Sequence, residues 1–183
     1  MDTVPVPAVP WLPVGGRGVL VGAGTGNWDD PTYIESLAKN TSVDYIDIHV
    51  YPISRDFTAR AIRQAEIARA NGKRIVIGEN WLHKSGERET GGASAVDIMS
   101  RDVYGFWQPL DEKFLTLVVQ LARQNQIEFV SPFWSKYFFA YADYDKVKRG
   151  ASYGEILRSA DAEMAKNVMA GVSGMNTDSI RAP

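Results

Sequence analysis

Short β-branched apolar runs alternate with segments of helical spacing along this chain, and that alternation leaves few folds open. The runs are Gly18-Val19-Leu20-Val21-Gly22, Val43 to Tyr51, Arg74-Ile75-Val76-Ile77-Gly78 and Ile127-Glu128-Phe129-Val130. After the first, Asp29-Asp30-Pro31 offers an N-cap with proline at the first helical position, leading into Ile34, Leu37 and Ala38. After the second, Pro52 stops the strand. A helix through Ala59, Ile62, Ala65, Ala68 and Ala70 then closes on Asn71-Gly72. Before the fourth run, Asp111 is placed to cap a helix carrying Phe114, Leu115, Leu117, Val118, Leu121 and Ala122. A last helix is expected over about residues 153–169.

Nearly continuous apolar strands separated by helices predict parallel βαβ units. The first three runs recur at roughly 30 residues, close to the about 31 per unit of a (β/α)8 barrel. The same rhythm fits a small open parallel sheet with helices on both faces, so periodicity alone leaves both architectures standing. Residues 1–17, with Pro5, Pro7, Pro10 and Pro13, read as an extended arm, because proline fixes φ and lacks an N–H. Residues 18–170 form the α/β unit, with an insertion over 81–109, and 171–183 read as a frayed tail.

Composition removes several classes of function. The chain has 183 residues and no cysteine, so thiolate zinc sites, disulfides and a cysteine nucleophile are out. His49 and His83 are too few for a multi-histidine metal centre. A net charge of −2 without a basic patch gives no nucleic-acid footprint. No apolar run reaches the roughly 18–20 residues of a membrane span. No secretory signal is recognisable at Met1, and export and cytoplasm are both compatible with the rest. Neither a metal nor a cofactor is expected. Gly22-Ala23-Gly24-Thr25-Gly26-Asn27 resembles a phosphate loop, but Asn27 stands where the third glycine belongs, so it reads as a tight turn.

In parallel α/β folds the chemistry gathers at the C-terminal ends of strands. Glu79 follows the third run directly, where a carboxylate must be paired, hydrogen-bonded or functional. On the second run, alternation puts Asp47, His49 and Tyr51 on one face and Ile46, Ile48 and Val50 on the other. A polar strand face of this kind suits a hydrogen-bonded network or a substrate site. A metal held by Asp47, His49 and Glu79 is a further alternative. Trp28, Trp81 and Trp134 lie just past strand ends, and Asn80 sits between Glu79 and Trp81. Sugars stack their C–H faces on such rings while amides and carboxylates bind their hydroxyls.

Val43 to Pro52 (VDYIDIHVYP), Arg74 to Leu82 (RIVIGENWL) and Phe129 to Trp134 (FVSPFW) together resemble strands six, seven and eight of clan A (β/α)8 glycoside hydrolases, in particular cellulase- and mannanase-like families. The resemblance runs from residue 18 onward, with Gly18 to Gly24 as strand five. It implies half of a barrel, strands five to eight, acting on a carbohydrate. Glu79 then matches the catalytic nucleophile, His49 and Tyr51 match residues that hold substrate and nucleophile, and Trp134 matches the tryptophan flooring the sugar site. Trp28, Asn80 and Trp81 join the expected substrate contacts, and 81–109 becomes a loop over the cleft.

Retaining hydrolysis needs a second carboxylate about 5–5.5 Å from the nucleophile. In this clan it follows an Asn at the end of strand four, which the resemblance does not include. The acid/base is therefore expected from a separate N-terminal half-barrel. Twofold pairing of this chain with itself would instead put the partner's strand eight, with its tryptophan, at that place. Activity of the chain alone is expected to be very weak. Binding of carbohydrate without hydrolysis is the alternative from a different class.

Overall fold

The computed structural model describes residues 19–86, 88–89, 92, 98, 101–133, 142–143 and 150–169. The expected arm, the tail and much of the insertion lie outside these residues. Strands β1 (Gly22–Gly26), β2 (Tyr45–Val50), β3 (Arg74–Asn80) and β4 (Phe129–Pro132) form one parallel sheet in the order β1-β2-β3-β4. Helices α1 (Pro31–Asn40) and α2 (Phe57–Ala70) fill the first two crossovers. A short 3-10 turn, Gly105–Trp107, leads into α3 (Gln108–Gln124), and α4 (Tyr153–Met169) follows β4. The fold is α/β.

Local chemistry explains the helix ends. Asp30 accepts a bond from the Thr32 amide at 2.8 Å and Pro31 opens α1, so the donor that proline lacks is one no helix start could have used. At the end of α2 the chain turns through Gly72 at φ 71°, a conformation that costs glycine nothing. One apolar layer unites these elements. Ile34 and Ala38 of α1, Ala61, Ala65 and Ala68 of α2, and Phe114, Val118, Leu121 and Ala122 of α3 pack in one cluster with Ile46, Ile48, Val50, Ile75 and Ile77. The first three helices thus cover the same face of the sheet, as a right-handed crossover repeated in one direction requires.

Strand β2, expected from Val43, starts two residues later, and β3, expected to end at Gly78, runs two residues further. Three further boundaries differ from the sequence expectation. The first strand is Gly22–Gly26 and not the valine run before it; Val19 and Val21 are exposed, at 91% and 58%. The glycines are the strand because β2 comes too close for side chains, and only Asn27 to Asp29 form the turn. The fourth strand starts two residues later than its run, at Phe129. Helix α3 begins at Gln108, because Pro109 is tolerated in a first turn, and Asp111 lies inside it rather than capping it.

Asp111 is instead buried against Lys84, whose ammonium also lies 3.2 Å from Asp102 Oδ1 and donates to the Leu82 carbonyl at 3.1 Å. The Trp81 indole donates to Asp102 Oδ2 at 3.0 Å, and the Lys84 ammonium stands 5.1 Å from the centre of that ring. Around this group, Tyr51, Trp81, Val103, Leu115, Ala142, Ile156 and Ala160 make a second core that ties α4 to the strand ends. Burial pushes the Asp102 carboxyl up from 3.8 to about 6, against the pull of Lys84. The folded chain therefore holds this proton more tightly than the unfolded chain. Its stabilising contribution, about 3 kcal/mol, is full below about pH 4 and is lost as pH rises through about 6. Urea unfolding across that range should show a smaller fall for Asp102→Asn than for the wild type; equal falls would refute the assignment.

Candidate functional site

The face of the sheet opposite α1–α3 carries Asp47 and His49, half-buried on β2 between the fully buried Ile46, Ile48 and Val50. The β2–β3 register is what brings Glu79 beside them. Tyr45, Ile46 and Asp47 pair with Arg74, Ile75 and Val76, but His49 then pairs with Glu79. One residue separates Asp47 from His49 and two separate Val76 from Glu79, so β3 carries a bulge at Ile77-Gly78. Glu79 consequently faces His49, with 3.8 Å between its Oε2 and His49 Nδ1. His49 Nε2 lies 3.5 Å from Asp47 Oδ2. The imidazole stands between two carboxylates, meeting each with a different nitrogen. A metal ion cannot take all three groups in that arrangement, and among the described residues no cluster of His, Asp and Glu has metal-holding geometry.

Tyr51 completes the group. Its phenol donates to Glu79 Oε1 at 2.5 Å. Burial, and then the bond to Glu79, push the phenol far above its ordinary value, so it stays a proton donor at every physiological pH. Its backbone is fixed by Asn27, which accepts from the Tyr51 amide at 3.1 Å and donates to the Tyr51 carbonyl at 3.0 Å. Trp28, 44% exposed, lies with its ring centre 5.9 Å from that of Tyr51, forming an apolar wall beside the phenol that holds Glu79. The loop that carries Trp28 is held from α2, where Arg60 donates to the carbonyls of Asn27, Trp28 and Asp29 at 2.6, 2.7 and 3.0 Å.

The structure thus brings together Glu79, His49, Tyr51 and Trp28. It does not bring Asn80 or Trp81 to that face. Asn80 is buried and donates to the Ser131 carbonyl at 3.0 Å, fastening β4. Trp81 is 1% exposed and its indole is committed to Asp102. Trp134 lies outside the described residues. Sequence reasoning passed over His83, whose ring meets that of Tyr51 edge-on at 4.8 Å. Burial and the Lys84 cation hold the His83 imidazole below its ordinary value, so it is neutral at pH 7. No local spacing marks this residue, because Trp81, between Glu79 and His83 at strand spacing, is turned into the second core.

A carboxylate with one strong hydrogen-bond donor, a flanking imidazole and an exposed aromatic wall can bind a polyhydroxylated ligand and attack an electrophilic carbon. No family model, no curated protein and no solved structure matches this chain.

Proposed function

We propose that the open face of the sheet is part of the inner wall of a (β/α)8-type glycosidase barrel, in which Glu79 is the nucleophile of a retaining hydrolysis. The observation that carries this reading is the 2.5 Å bond from Tyr51 to Glu79 at the C-terminal ends of parallel strands. The sequential strand order and the packing of α1, α2 and α3 on one face support it. A doubly wound sheet reverses its order at a switch point and covers both faces, whereas successive barrel units add in one direction.

In the reaction, a Glu79 carboxylate oxygen forms a bond to the anomeric carbon as the bond to the leaving oxygen breaks. Tyr51 holds the other carboxylate oxygen, fixing the angle of attack. His49 and Trp28 flank the sugar, one binding hydroxyls and the other stacking on C–H bonds. Water then cleaves the glycosyl-enzyme, with its proton taken by a second carboxylate. That carboxylate, which first protonates the leaving group, is assigned to a complementary half-barrel. Acid–base assistance contributes about 10²–10⁴-fold, so the chain alone is slow on natural glycosides.

A dinitrophenolate leaves without protonation, so the chain by itself can be tested. Incubation with dinitrophenyl fluoroglycosides of the gluco, manno and cello series should release dinitrophenol and leave one glycosyl group on Glu79, read by peptide mass spectrometry. Glu79→Gln should take no label. A labelled residue other than Glu79 would overturn the assignment. Saturable oligosaccharide binding with no label in any series would support the carbohydrate-binding module instead.

A further inference from the structure

We infer that Asp47 is a positioning residue that, by accepting the Gly78 amide proton, holds the β3 bulge that turns Glu79 onto the open face of the sheet. Ile75 and Ile77 point into the helix-covered core. Strict alternation would send Glu79 the same way, into apolar packing where a carboxylate is costly. The extra residue reverses the side and sets Glu79 opposite His49. A bulge also leaves backbone groups of the bulged strand outside the regular ladder. Here the Gly78 amide is met by Asp47 Oδ1 at 2.6 Å, a short bond to a carboxylate.

Gly78 is the other half of the device. A Cβ at this position would lie 2.3 Å from Asp47 Oδ2 and 2.6 Å from Oδ1, so any side chain would evict the carboxylate. The absence of that carbon is what lets Asp47 reach the amide. The second Asp47 oxygen faces His49 Nε2 at 3.5 Å, and His49 Nδ1 faces Glu79 at 3.8 Å. One carboxylate on β2 therefore reaches Glu79 by two routes, through the backbone of β3 and through the imidazole. Asp47 itself contacts no part of Glu79's proposed reaction path.

The reactive role of Glu79 rests on the function proposed above, but the clamp does not, and the test separates them. In the full chain, the Gly78 amide should resonate downfield and move upfield along the same curve as the Asp47 carboxyl carbon when acid is added. An amide shift that ignores Asp47 titration would overturn the clamp without any variant being made. Asp47→Asn keeps an acceptor oxygen, whereas Asp47→Ala has none. The Glu79 carboxyl and Tyr51 ring signals should therefore shift in Asp47→Ala and return toward wild type in Asp47→Asn. Unchanged Glu79 and Tyr51 signals in a folded Asp47→Ala chain would also overturn it. Labelling of Glu79 by the fluoroglycoside should fall on the order of 10²-fold in Asp47→Ala, as expected for a displaced reacting group, and recover in part in Asp47→Asn. If the wild type takes no label, the nucleophile assignment fails while the resonance data still decide the clamp.

Discussion

Replacing Lys84 with methionine is expected to lower the free energy of unfolding by about 3–5 kcal/mol. The Lys84 side chain has no exposed surface and is the cation for Asp102 and Asp111, whose side chains are 5% and 1% exposed. Methionine fills most of the space of the lysine stem, so packing against Trp81 is largely kept. What is lost is charge, together with the bond to the Leu82 carbonyl. Two buried carboxylates without a cation cannot both remain ionised, and one must take up a proton or draw in water. Burial already pushes the Asp102 carboxyl up to about 6, so Asp102 is the one that gives way. The loss should accordingly be smaller at about pH 5 than at about pH 8. Urea unfolding followed by tryptophan fluorescence reads both values. A loss under about 1 kcal/mol at the higher pH, typical of an exposed pair, would sink the assignment of this cluster as a buried anchor.

Gly24→Ala is expected to detach β1 from the sheet. A Cβ there would lie 1.6 Å from the carbonyl oxygen of Asp47, its partner in the ladder, and backbone cannot step aside as a side chain end can. Overpacking against movable side chains costs about 1–3 kcal/mol; against a strand backbone the cost should reach or exceed the top of that range. Because β1 ends the strand order among the described residues, the damage should be local. Amide exchange should accelerate over Gly22–Gly26 while β3 and α3 keep their protection. Uniform acceleration through the whole chain, or none, would contradict this. Gly26→Ala meets the Trp28 ring at 2.2 Å instead, so it should displace Trp28 rather than the strand.

These glycines show where a sequence stops being readable. Helix α1, with its Asp30-Pro31 start, and α2, with its Asn71-Gly72 stop, follow from residues adjacent in the chain and were legible. So was the polar face of β2, since alternation is a local rule. The strand Gly22–Gly26 was not, because its glycines answer to Tyr45, Asp47 and Trp28 and not to their own propensities. Likewise Glu79 was marked by its position after an apolar run, yet the side of the sheet it faces depends on a bulge set by β2. Lys84 pairs with Asp102 and Asp111, 18 and 27 positions along by the numbering, and no local spacing links them. Asp111 looked like a helix cap because a cap and a buried first-turn carboxylate have the same sequence signature.

Arg60 holds the turn at residues 27–29 through carbonyl oxygens, which every amino acid provides. Asn27 also ties the turn to Tyr51 through its own side chain, but at position 28 the path of the turn does not depend on the side chain carried. Position 28 can be recoded, from tryptophan to tyrosine, histidine or something smaller, without rebuilding the loop. Position 60 tolerates no such freedom, because lysine has no planar fork to span several oxygens at once. A library intended to retune what this face accepts would vary residue 28 and leave residue 60 alone.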